Sequence, residues 1–365
     1  MIPLVDLSLP KNVKGLIKRE VEKVIDSKSY ILGEQLGIFE KKFARFIGAK
    51  FAIGVGNGTD AIRLALRALG ISQKDKVLTV ALTSPFTVIA IIEEGAIPVF
   101  CDVDERTWTI DVADIAKKID KKTKAIIPVH LFGNPCNMIE IMKIAKIYKL
   151  KVIEDACQAH GATIANRKVG TFSDVAAFSF YPTKNLGAMG DAGAIITNNK
   201  NVADLVKLLR HGGQTKRFWH KFKGVNSRLD EIQAAVLSVK LEYLEKENKK
   251  RKKLAKRYQK GLQGLPIYFQ KAISGGKSAH HLFVVRTPKR DALKHFLLEK
   301  NIISDVYYPY PIYRQTLFAK YSKENLTVTE ELTRELLALP FFPSLTIKQQ
   351  DYVTKMVRSF FKTQI

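Results

Sequence analysis

The chain has 365 residues, of which 46% are hydrophobic and 26% charged, and its formal net charge is +25. This balance is typical of a soluble globular protein and excludes a disordered one. No apolar run approaches the roughly 20 residues that cross a bilayer, and the N-terminus, MIPLVDLSLPKNVKG, lacks the basic-then-apolar pattern of a signal peptide. We therefore expect a cytoplasmic protein that does not enter a membrane. Because the length exceeds one ordinary core, we expect one large domain and a smaller one.

The large positive charge by itself points to nucleic acid or another polyanion as a partner. The densest basic segment, KENKKRKKLAKRYQK at 246–260, follows an apolar repeat of helical spacing and is typical of a helix whose exposed face is basic. Elsewhere the basic residues are spread along the chain, without a helix-turn-helix, zinc-finger or RNA-binding signature. We favour a solvated helix face and keep nucleic-acid binding as the alternative.

The three cysteines, Cys101, Cys136 and Cys157, lack CxxC spacing and a set of histidine ligands. This odd number argues against a disulfide framework, and the spacing argues against a zinc site. We predict reduced, structural thiols and no metal site.

From about residue 50 to 200, short β-rich apolar runs alternate with helix-patterned stretches. The predicted strands are KVLTVA (76–81), IPVFCDV (97–103), AIIPVH (125–130), KVIED (151–155), VAAFSF (175–180) and GAIIT (193–197). The predicted helices between them are 60–69, 86–94 and 137–149. Runs that are apolar on both faces suit strands covered by helices on each side. The alternation predicts an α/β fold with a mostly parallel central sheet.

After residue 200 the pattern predicts a helix at about 201–210 and a long helix that opens at NSRLDEIQAAVL. Ser227 followed three residues later by Asp230 resembles a capping box and favours a helix start there. Further on, a strand at 281–286 and helices at 290–301 and about 347–362 indicate a small α+β domain. We predict a large domain at 1–245, with an N-terminal helical segment, and a small C-terminal domain at 246–365.

The stretch IGVGNGTDAIRLAL (53–66) joins glycines directly to a helix. Backbone N–H groups and the positive end of a helix can hold a phosphate at such a turn. A dinucleotide-binding GxGxxG would need glycine where the chain has Thr59, so that fingerprint fails. The alternative is a tight strand-to-helix turn with Thr59 or Asp60 near the cap.

The stretch VIEDACQAHG (152–161) ends a buried strand in two acids, Glu154 and Asp155. In α/β sheets ligands bind outside the carboxyl ends of the strands, so one of these acids is a candidate site residue. The alternative is that both acids only cap the next helix.

The stretch FSFYPTKNLGAMGD (178–191) places Lys184 just past the end of the next apolar strand. Lys184 and Asp155 could therefore approach each other at the same edge of the sheet. Partial burial there would lower the pKa of Lys184 and make its amine a nucleophile or base near neutral pH. The alternative is a turn lysine that points into solvent.

These stretches occur in an order that resembles one family. The matching blocks are GNGTDA, FCDVDERTWTID, AIIPVHLFGNP, VIEDACQAHGA, FSFYPTKNLGAMGDAGAIIT and GVNSRLDEIQAAVLSVKL. Together they resemble the DegT/DnrJ-type sugar aminotransferases, which are pyridoxal 5′-phosphate (PLP) enzymes of the aspartate aminotransferase fold. The resemblance runs from IPLVDL to VYYPYPIYRQ and implies PLP fold type I.

The resemblance also implies roles for residues of this chain. Lys184 would form the Schiff base with PLP and later move the proton between the substrate carbon and the cofactor. Asp155 would pair with the pyridine nitrogen and keep it protonated, and Gln158 would hydrogen-bond the 3′-oxygen. Gly58 and Thr59 would hold the phosphate.

Further implied contacts involve three residues from separate blocks. Ser179, a lone hydroxyl at the end of an apolar strand, would add to the phosphate site. Phe86 would stack on the cofactor ring. Asn226 would reach the phosphate from the other subunit, which makes a homodimer necessary for an intact site, although a helix-capping role competes for Asn226.

The implied reaction is a two-step transfer through the pyridoxamine form of the cofactor. L-Glutamate would donate the amino group, and a ketone on a nucleotide-diphosphate-linked deoxysugar would accept it, for surface glycans such as an O-antigen or for a glycosylated metabolite. VGNGTDA and HLFGNPCNM resemble members that aminate C3 of dTDP-linked 3-keto-6-deoxyhexoses, with a C4 enzyme or a UDP-linked 3-keto sugar as alternatives.

Tyr181, Tyr307 and Tyr308 are the candidate substrate contacts. Many relatives carry histidines in the block where this chain has Tyr307 and Tyr313.

Overall fold

A computed structural model describes residues 1–322 and 325–362. Its α-helices are α1 (Lys11–Ser27), α2 (Glu34–Ile47), α3 (Gly58–Ala68), α4 (Pro85–Glu93), α5 (Val112–Lys118), α6 (Met138–Tyr148), α7 (Lys200–Leu209), α8 (Glu231–Gly261), α9 (Arg290–Glu299), α10 (Thr327–Glu335) and α11 (Ile347–Lys362). Within the described ranges, none of the helices combines the length and the apolarity that a membrane crossing requires.

The central sheet has seven strands. They are β1 (Phe51–Val55), β2 (Lys76–Val80), β3 (Ile97–Cys101), β4 (Thr123–Ile126), β5 (Lys151–Asp155), β8 (Val175–Ser179) and β9 (Gly193–Thr197). The shorter strands are β6 (Thr163–Ile164), β7 (Arg167–Lys168), β10 (Gln214–Lys216), β11 (Trp219–His220), β12 (Tyr268–Phe269), β13 (Gly276–Lys277), β14 (Phe283–Arg286) and β15 (Leu336–Leu339).

The order across the central sheet is β1-β9-β8-β5-β4-β2-β3. All neighbours run parallel except β9, which is antiparallel to both β1 and β8. Buried apolar side chains lie on both faces of the sheet, in two hydrophobic clusters that the flanking helices complete. The predicted α/β fold with a mostly parallel sheet is confirmed.

Most predicted element ends agree with the structure within about two residues, the usual uncertainty of a helix or strand end. The predicted strand at 125–130 differs more, because β4 ends at Ile126. The four residues beyond it form the approach to a short 3₁₀ turn at Leu131–Gly133. This approach crosses the carboxyl edge of the sheet, where the site described below lies.

The predicted capping box at the start of α8 is wrong. Asp230 is the N-cap residue, yet its side chain makes no cap hydrogen bond. The hydroxyl of Ser227 instead donates to Asp60 (2.6 Å) and accepts the N–H of Gly56 (2.9 Å). Ser227 therefore braces the turn before α3, because tertiary partners outcompete the local helix end.

A separate hydrophobic cluster lies toward the C-terminus. It joins β12, β14, β15, α9, α11 and the second half of α8, with Tyr258, Phe283 and Val357 among its buried members. The predicted boundary between residues 245 and 246 falls inside α8, which crosses it as one continuous helix. The division into domains at 1–245 and 246–365 stays a prediction.

Candidate active site

The carboxyl ends of β1, β5 and β8 lie on the same edge of the sheet, because β1 and β8 are both antiparallel to β9. Asp155 is the last residue of β5 and Ser179 is the last residue of β8. Gly58 begins α3, directly after the two-residue turn that follows β1. Strand ends thus bring together three residues that are far apart in the sequence.

The N-terminus of α3 packs closely against Ser179. A Cβ atom at Gly58 would lie 2.8 Å from the Cβ of Ser179 and 3.0 Å from the Sγ of Cys157. The Oδ1 of Asn57 caps the helix by accepting the N–H of Asp60 at 2.8 Å. The N–H groups of Gly58 and Thr59 have no acceptor within the helix. With the nearby Ser179 hydroxyl they form a site suited to a phosphate.

Asp155 is held as an acceptor by groups that the sequence analysis did not identify. It is 4% exposed. Its Oδ2 accepts the hydroxyl of Thr87 at 2.7 Å, and its Oδ1 accepts the N–H of Cys157 at 3.1 Å. Thr87 is the lone hydroxyl in the apolar stretch of α4, and that was the available sequence signal.

Glu154, the other candidate acid, makes hydrogen bonds within the protein interior. It is fully buried and accepts the Nε2–H of His130 (3.1 Å), the N–H of Gly170 (2.7 Å) and the hydroxyl of Ser173 (2.8 Å). Nδ1 of His130 accepts the N–H of Cys136 at 3.0 Å, so the ring proton lies on Nε2. Glu154 is therefore a satisfied structural carboxylate.

Lys184 lies on the loop that follows β8, near Cys157 and Asp155. Burial lowers the pKa of its amine, and the neighbouring Cys157 and Asp155 offset part of that shift. Within the described residues its Nζ has no hydrogen bond or ion pair. A lysine with a lowered pKa keeps a larger neutral fraction, which is the nucleophilic form. The predicted desolvation of Lys184 is confirmed.

Gln158 and Tyr308 meet across the site. The Oε1 of Gln158 accepts the N–H of Phe132 at 2.7 Å, and its Nε2 donates to the hydroxyl of Tyr308 at 3.2 Å. Nε2 carries a second hydrogen, which is the one that the predicted bond to a cofactor oxygen needs. Burial raises the pKa of Tyr308, so its hydroxyl stays protonated.

The other predicted site residues are more exposed to solvent. Phe86 is 58% and Tyr181 is 53% exposed, and Asn226 is exposed with its backbone bridged to His211. The ring of Tyr307 is half-buried and packs edge-to-face on Tyr308. The roles predicted for these side chains stay predictions.

The three cysteines are free, as predicted. Cys157 is nearest the site, with its Sγ close to Gly58. Burial and the neighbouring Asp155 raise the pKa of its thiol, with Lys184 acting in the opposite direction. A protonated thiol is a poor nucleophile, which agrees with the structural role that the sequence predicts.

The sequence pattern of the DegT/DnrJ/EryC1/StrS aminotransferase family matches residues 12–358. The chain belongs to this family.

Individual relatives of this aminotransferase extend over its full length. A pleiotropic regulatory protein from Geobacillus stearothermophilus is 41% identical over 367 residues, which cover 99% of each chain. A dTDP-3-amino-3,6-dideoxy-α-D-galactopyranose transaminase from Aneurinibacillus thermoaerophilus is 41% identical over 361 residues, again 99% of each. The solved structure of S. venezuelae DesV in complex with a ketimine intermediate is 38% identical, with a TM-score of 0.97 over 99% of this chain and 98% of that one. The predicted family, fold and enzyme class are confirmed.

The site of this aminotransferase fits the PLP that the resemblance implies. The cofactor presents an anion, a basic ring nitrogen and an aldehyde. The N-terminus of α3 with Ser179 suits the anion, the buried Asp155 suits a protonated ring nitrogen, and the amine of Lys184 suits the aldehyde. These three chemically different groups lie at one edge of the sheet.

Proposed function

We propose that this aminotransferase transfers the amino group of L-glutamate to C3 of a dTDP-linked 3-keto-6-deoxyhexose, with PLP as its cofactor. The observation that carries the chemistry is the half-buried amine of Lys184 at the same edge as Asp155 and the N-terminus of α3. The choice of substrate is supported by the 41% identical transaminase of a dTDP-3-amino sugar.

Lys184 and Asp155 would carry the proton chemistry. When bound, PLP supplies an electron sink for the carbanion formed at the amino-bearing carbon. In its neutral form, the amine of Lys184 takes the proton from the substrate carbon and then donates it to the cofactor carbon that was bound as the aldehyde. Asp155 accepts the ring N–H, and the hydrogen bonds from Thr87 and Cys157 hold its carboxyl group in place.

Phosphate and ring contacts would fix the cofactor. The N–H groups of Gly58 and Thr59 and the hydroxyl of Ser179 donate to the phosphate, and the positive end of α3 adds to the attraction. The amide of Gln158 donates to the 3′-oxygen while Phe132 and Tyr308 hold it in place.

The substrate would enter along the open side of the site. Phe86 lies exposed where it can cover the cofactor ring, and Tyr181 is likewise available to the sugar. Tyr307 lies near Tyr181, and the hydroxyls of Tyr307 and Tyr308 suit sugar oxygens. A hydroxyl can donate and accept, so tyrosines in place of histidines keep hydrogen bonding but lose a titrating group.

A homodimer is supported by large apolar side chains that remain exposed on this chain. Phe218 (79%) and Trp219 (69%) lie on the β10–β11 hairpin, and Met189 (53%) follows the Lys184 loop. Exposed apolar side chains of this size are typical of interfaces. The exposed Asn226, close to this hairpin in sequence, would then reach the partner's phosphate site.

The product would enter a deoxyaminosugar pathway for surface glycans, including O-antigen, or for a glycosylated metabolite. We place the reaction in the cytoplasm, which the free thiols support. Amination at C4 and a UDP-linked 3-keto sugar are the alternatives within the same family.

The test is the absorbance of the purified protein reconstituted with PLP, with and without L-glutamate. We expect a band of the lysine-bound cofactor that converts to the pyridoxamine form on addition of glutamate. Lys184→Ala should lack the lysine-bound band and lose activity by at least about 10⁴-fold, as expected when a covalent catalyst is removed. A band that survives unchanged in Lys184→Ala contradicts the mechanism.

The substrate is tested separately. The pyridoxamine form is incubated with 3-keto and 4-keto sugars linked to dTDP or UDP, and each product is identified by mass and NMR. Turnover of a 4-keto or UDP-linked sugar in preference to the dTDP-3-keto sugar would overturn the substrate assignment and leave the chemistry intact.

A further inference from the structure

The loop that carries Lys184, residues 182–188, is folded tightly on itself. The N–H of Lys184 donates to the carbonyl of Tyr181 at 2.8 Å, and the N–H of Ala188 donates to the carbonyl of Phe180 at 2.7 Å. A Cβ atom at Gly187 would overlap the carbonyl of Pro182. The loop can therefore close only with glycine at this position, which turns the carbonyl of Gly187 toward α8.

Lys240 of α8 meets that carbonyl. Its Nζ donates to the oxygen of Gly187. Within the described residues no carboxylate pairs with Lys240. Burial lowers the pKa of this amine to about 8. Burying an amine without a counter-charge costs free energy, so packing alone does not account for a lysine at this position.

Two other side chains of α8 hold the ends of the same region. Gln233 accepts the N–H of Met189 at 2.8 Å and donates to its carbonyl, and Asn248 accepts from the side chain of Asn185 at 2.9 Å. Lys240 lies between them, about two helical turns from each, on one face of α8. Helix α8 therefore makes hydrogen bonds to the segment from Asn185 to Met189 at three points along its length, and Lys240 makes the middle one.

We propose that Lys240 is a positioning residue for Lys184. Its bond to the carbonyl of Gly187 holds the 182–188 loop in the conformation that keeps the amine of Lys184 beside Asp155. This inference rests on the proposed function, because it concerns the lysine that would bind the cofactor.

The groups around Lys240 determine how its hydrogen bond to the carbonyl of Gly187 depends on pH. Lys240 lines a cavity together with Lys184, and the other titratable groups there are Asp6, Glu247, Lys250, Arg251 and Tyr243. Glu247 is paired with Lys250 at 3.0 Å, and Arg251 donates to the carbonyl of His281 at 3.1 Å. As the pH rises through about 8, Lys240 loses its charge, and the charge-assisted bond to Gly187 becomes a weaker neutral one.

The experiment compares Lys240→Met and Lys240→Arg with the wild-type protein. Hydrogen exchange of the peptide covering residues 181–190 is followed at pH 7 by mass spectrometry, in the cofactor-free protein and after addition of PLP. In Lys240→Met we expect about tenfold faster exchange of the Lys184 and Ala188 amides and an about tenfold lower kcat with KM nearly unchanged, since a misplacement of about 1 Å can cost up to 10²-fold. Lys240→Arg, which keeps the donor, should recover most of both.

The melting temperature separates positioning from stability. Methionine fills the space without a buried charge, so Lys240→Met should melt at the wild-type temperature or above it. Lys250→Met is the matched control, because Lys250 lines the same cavity but pairs with Glu247 rather than the loop. It should leave the exchange of residues 181–190 unchanged.

Three results would overturn the proposal. One is unchanged exchange of residues 181–190 in Lys240→Met, and another is the same acceleration in Lys250→Met. The third is faster exchange throughout the chain together with a lower melting temperature. If wild-type protein forms no lysine-bound cofactor band, the proposed function fails instead, and the exchange of the cofactor-free protein still tests the anchoring of the loop.

Discussion

At the residue scale, two neighbouring acids at the end of β5 are assigned to different tasks. Side chains alternate across a strand, so Glu154 and Asp155 point to opposite faces of the sheet. Burial raises the pKa of Glu154, but the hydrogen bonds from His130, Gly170 and Ser173 outweigh it and leave the pKa below its usual value. The local pattern leaves either acid as a candidate and the family resemblance implies Asp155, which agrees with the structural partners that Glu154 has in the interior.

Thr87 should matter for catalysis through Asp155. Thr87→Val keeps the shape of the side chain and removes the 2.7 Å bond to Oδ2. A hydrogen bond to a charged group contributes about 1.5–3 kcal/mol, so we expect kcat to fall by roughly 10- to 100-fold. The measurement is single-turnover conversion of the cofactor by glutamate.

Thr79 provides the matched control for this substitution. It is also fully buried, and its hydroxyl donates to the carbonyl of Ile127 at 2.9 Å, away from Asp155. Thr79→Val should lower stability by about 1 kcal/mol, as for a typical lost hydrogen bond, and leave the half-reaction rate near wild type. If Thr87→Val and Thr79→Val lose the same rate, Thr87 has no specific role in catalysis.

At the element scale, glycines determine how closely backbone segments approach. The sequence suggests that glycines after Lys184 let the backbone pass near a cofactor. Gly187 instead makes room for the carbonyl of Pro182, and Gly193, the first residue of β9, makes room for the carbonyl of Asn57. Close approach to the cofactor by Gly187 and Gly190, the two glycines of the stretch 178–191, stays a prediction.

Gly193→Ala should damage the phosphate site through the backbone. Its Cβ would overlap Asn57, which caps α3, so β9 and the helix N-terminus must move apart. Overpacking of a core costs about 1–3 kcal/mol, and we expect a loss of unfolding free energy in that range together with weaker PLP binding. Urea denaturation and a PLP titration measure the two effects.

Gly15→Ala is the opposite case. Gly15 lies inside α1, and a Cβ atom there would meet nothing within 4 Å. Alanine should raise the unfolding free energy by about 0.5–1 kcal/mol, because glycine weakens a helix interior by that amount. A stabilised Gly193→Ala or a destabilised Gly15→Ala would contradict this interpretation.

At the scale of the whole molecule, part of the positive charge is concentrated on one helix face. The exposed lysines at 246–260 that follow helical spacing are Lys246, Lys249, Lys253, Lys256 and Lys260. Within the described residues none of these five has an ion-pair partner. The predicted solvated basic face is therefore present, and its neighbours at three and four residues repel one another.

We expect the protein to become more stable as salt is added. Screening shortens the range of the repulsion from about 30 Å at 0.01 M to about 3 Å at 1 M ionic strength. Lys253→Glu replaces repulsion with attraction toward Lys249 and Lys256. Like pairs cost about 0.2–0.5 kcal/mol each, so this variant should gain roughly 1 kcal/mol at low salt. Thermal unfolding at low and high salt measures the gain, which should shrink as salt is added.

Lys200→Glu makes the same change of charge where the outcome should be opposite. Lys200 pairs with Asp204 at 2.5 Å on α7. Reversal should lower the melting temperature at low salt, because it replaces an attraction with repulsion. If both reversals stabilise the protein equally, net charge rather than local spacing governs the effect.

The sequence by itself determined the fold class, the family and the candidate lysine and acid. The fold class depends on local patterns, namely apolar runs of strand length that alternate with helix-patterned stretches, whereas the lysine and the acid are implied by the resemblance of several sequence blocks to one family. Only the tertiary structure decided that Glu154 is a buried structural carboxylate and that Ser227 braces the turn before α3 rather than capping α8. It alone showed that Thr87 donates to Asp155 and that Lys240 donates to the loop carrying Lys184. The physical reason is that a hydrogen bond between residues 53 or 68 positions apart leaves no periodic trace in the sequence, whereas burial of a strand or helix face does.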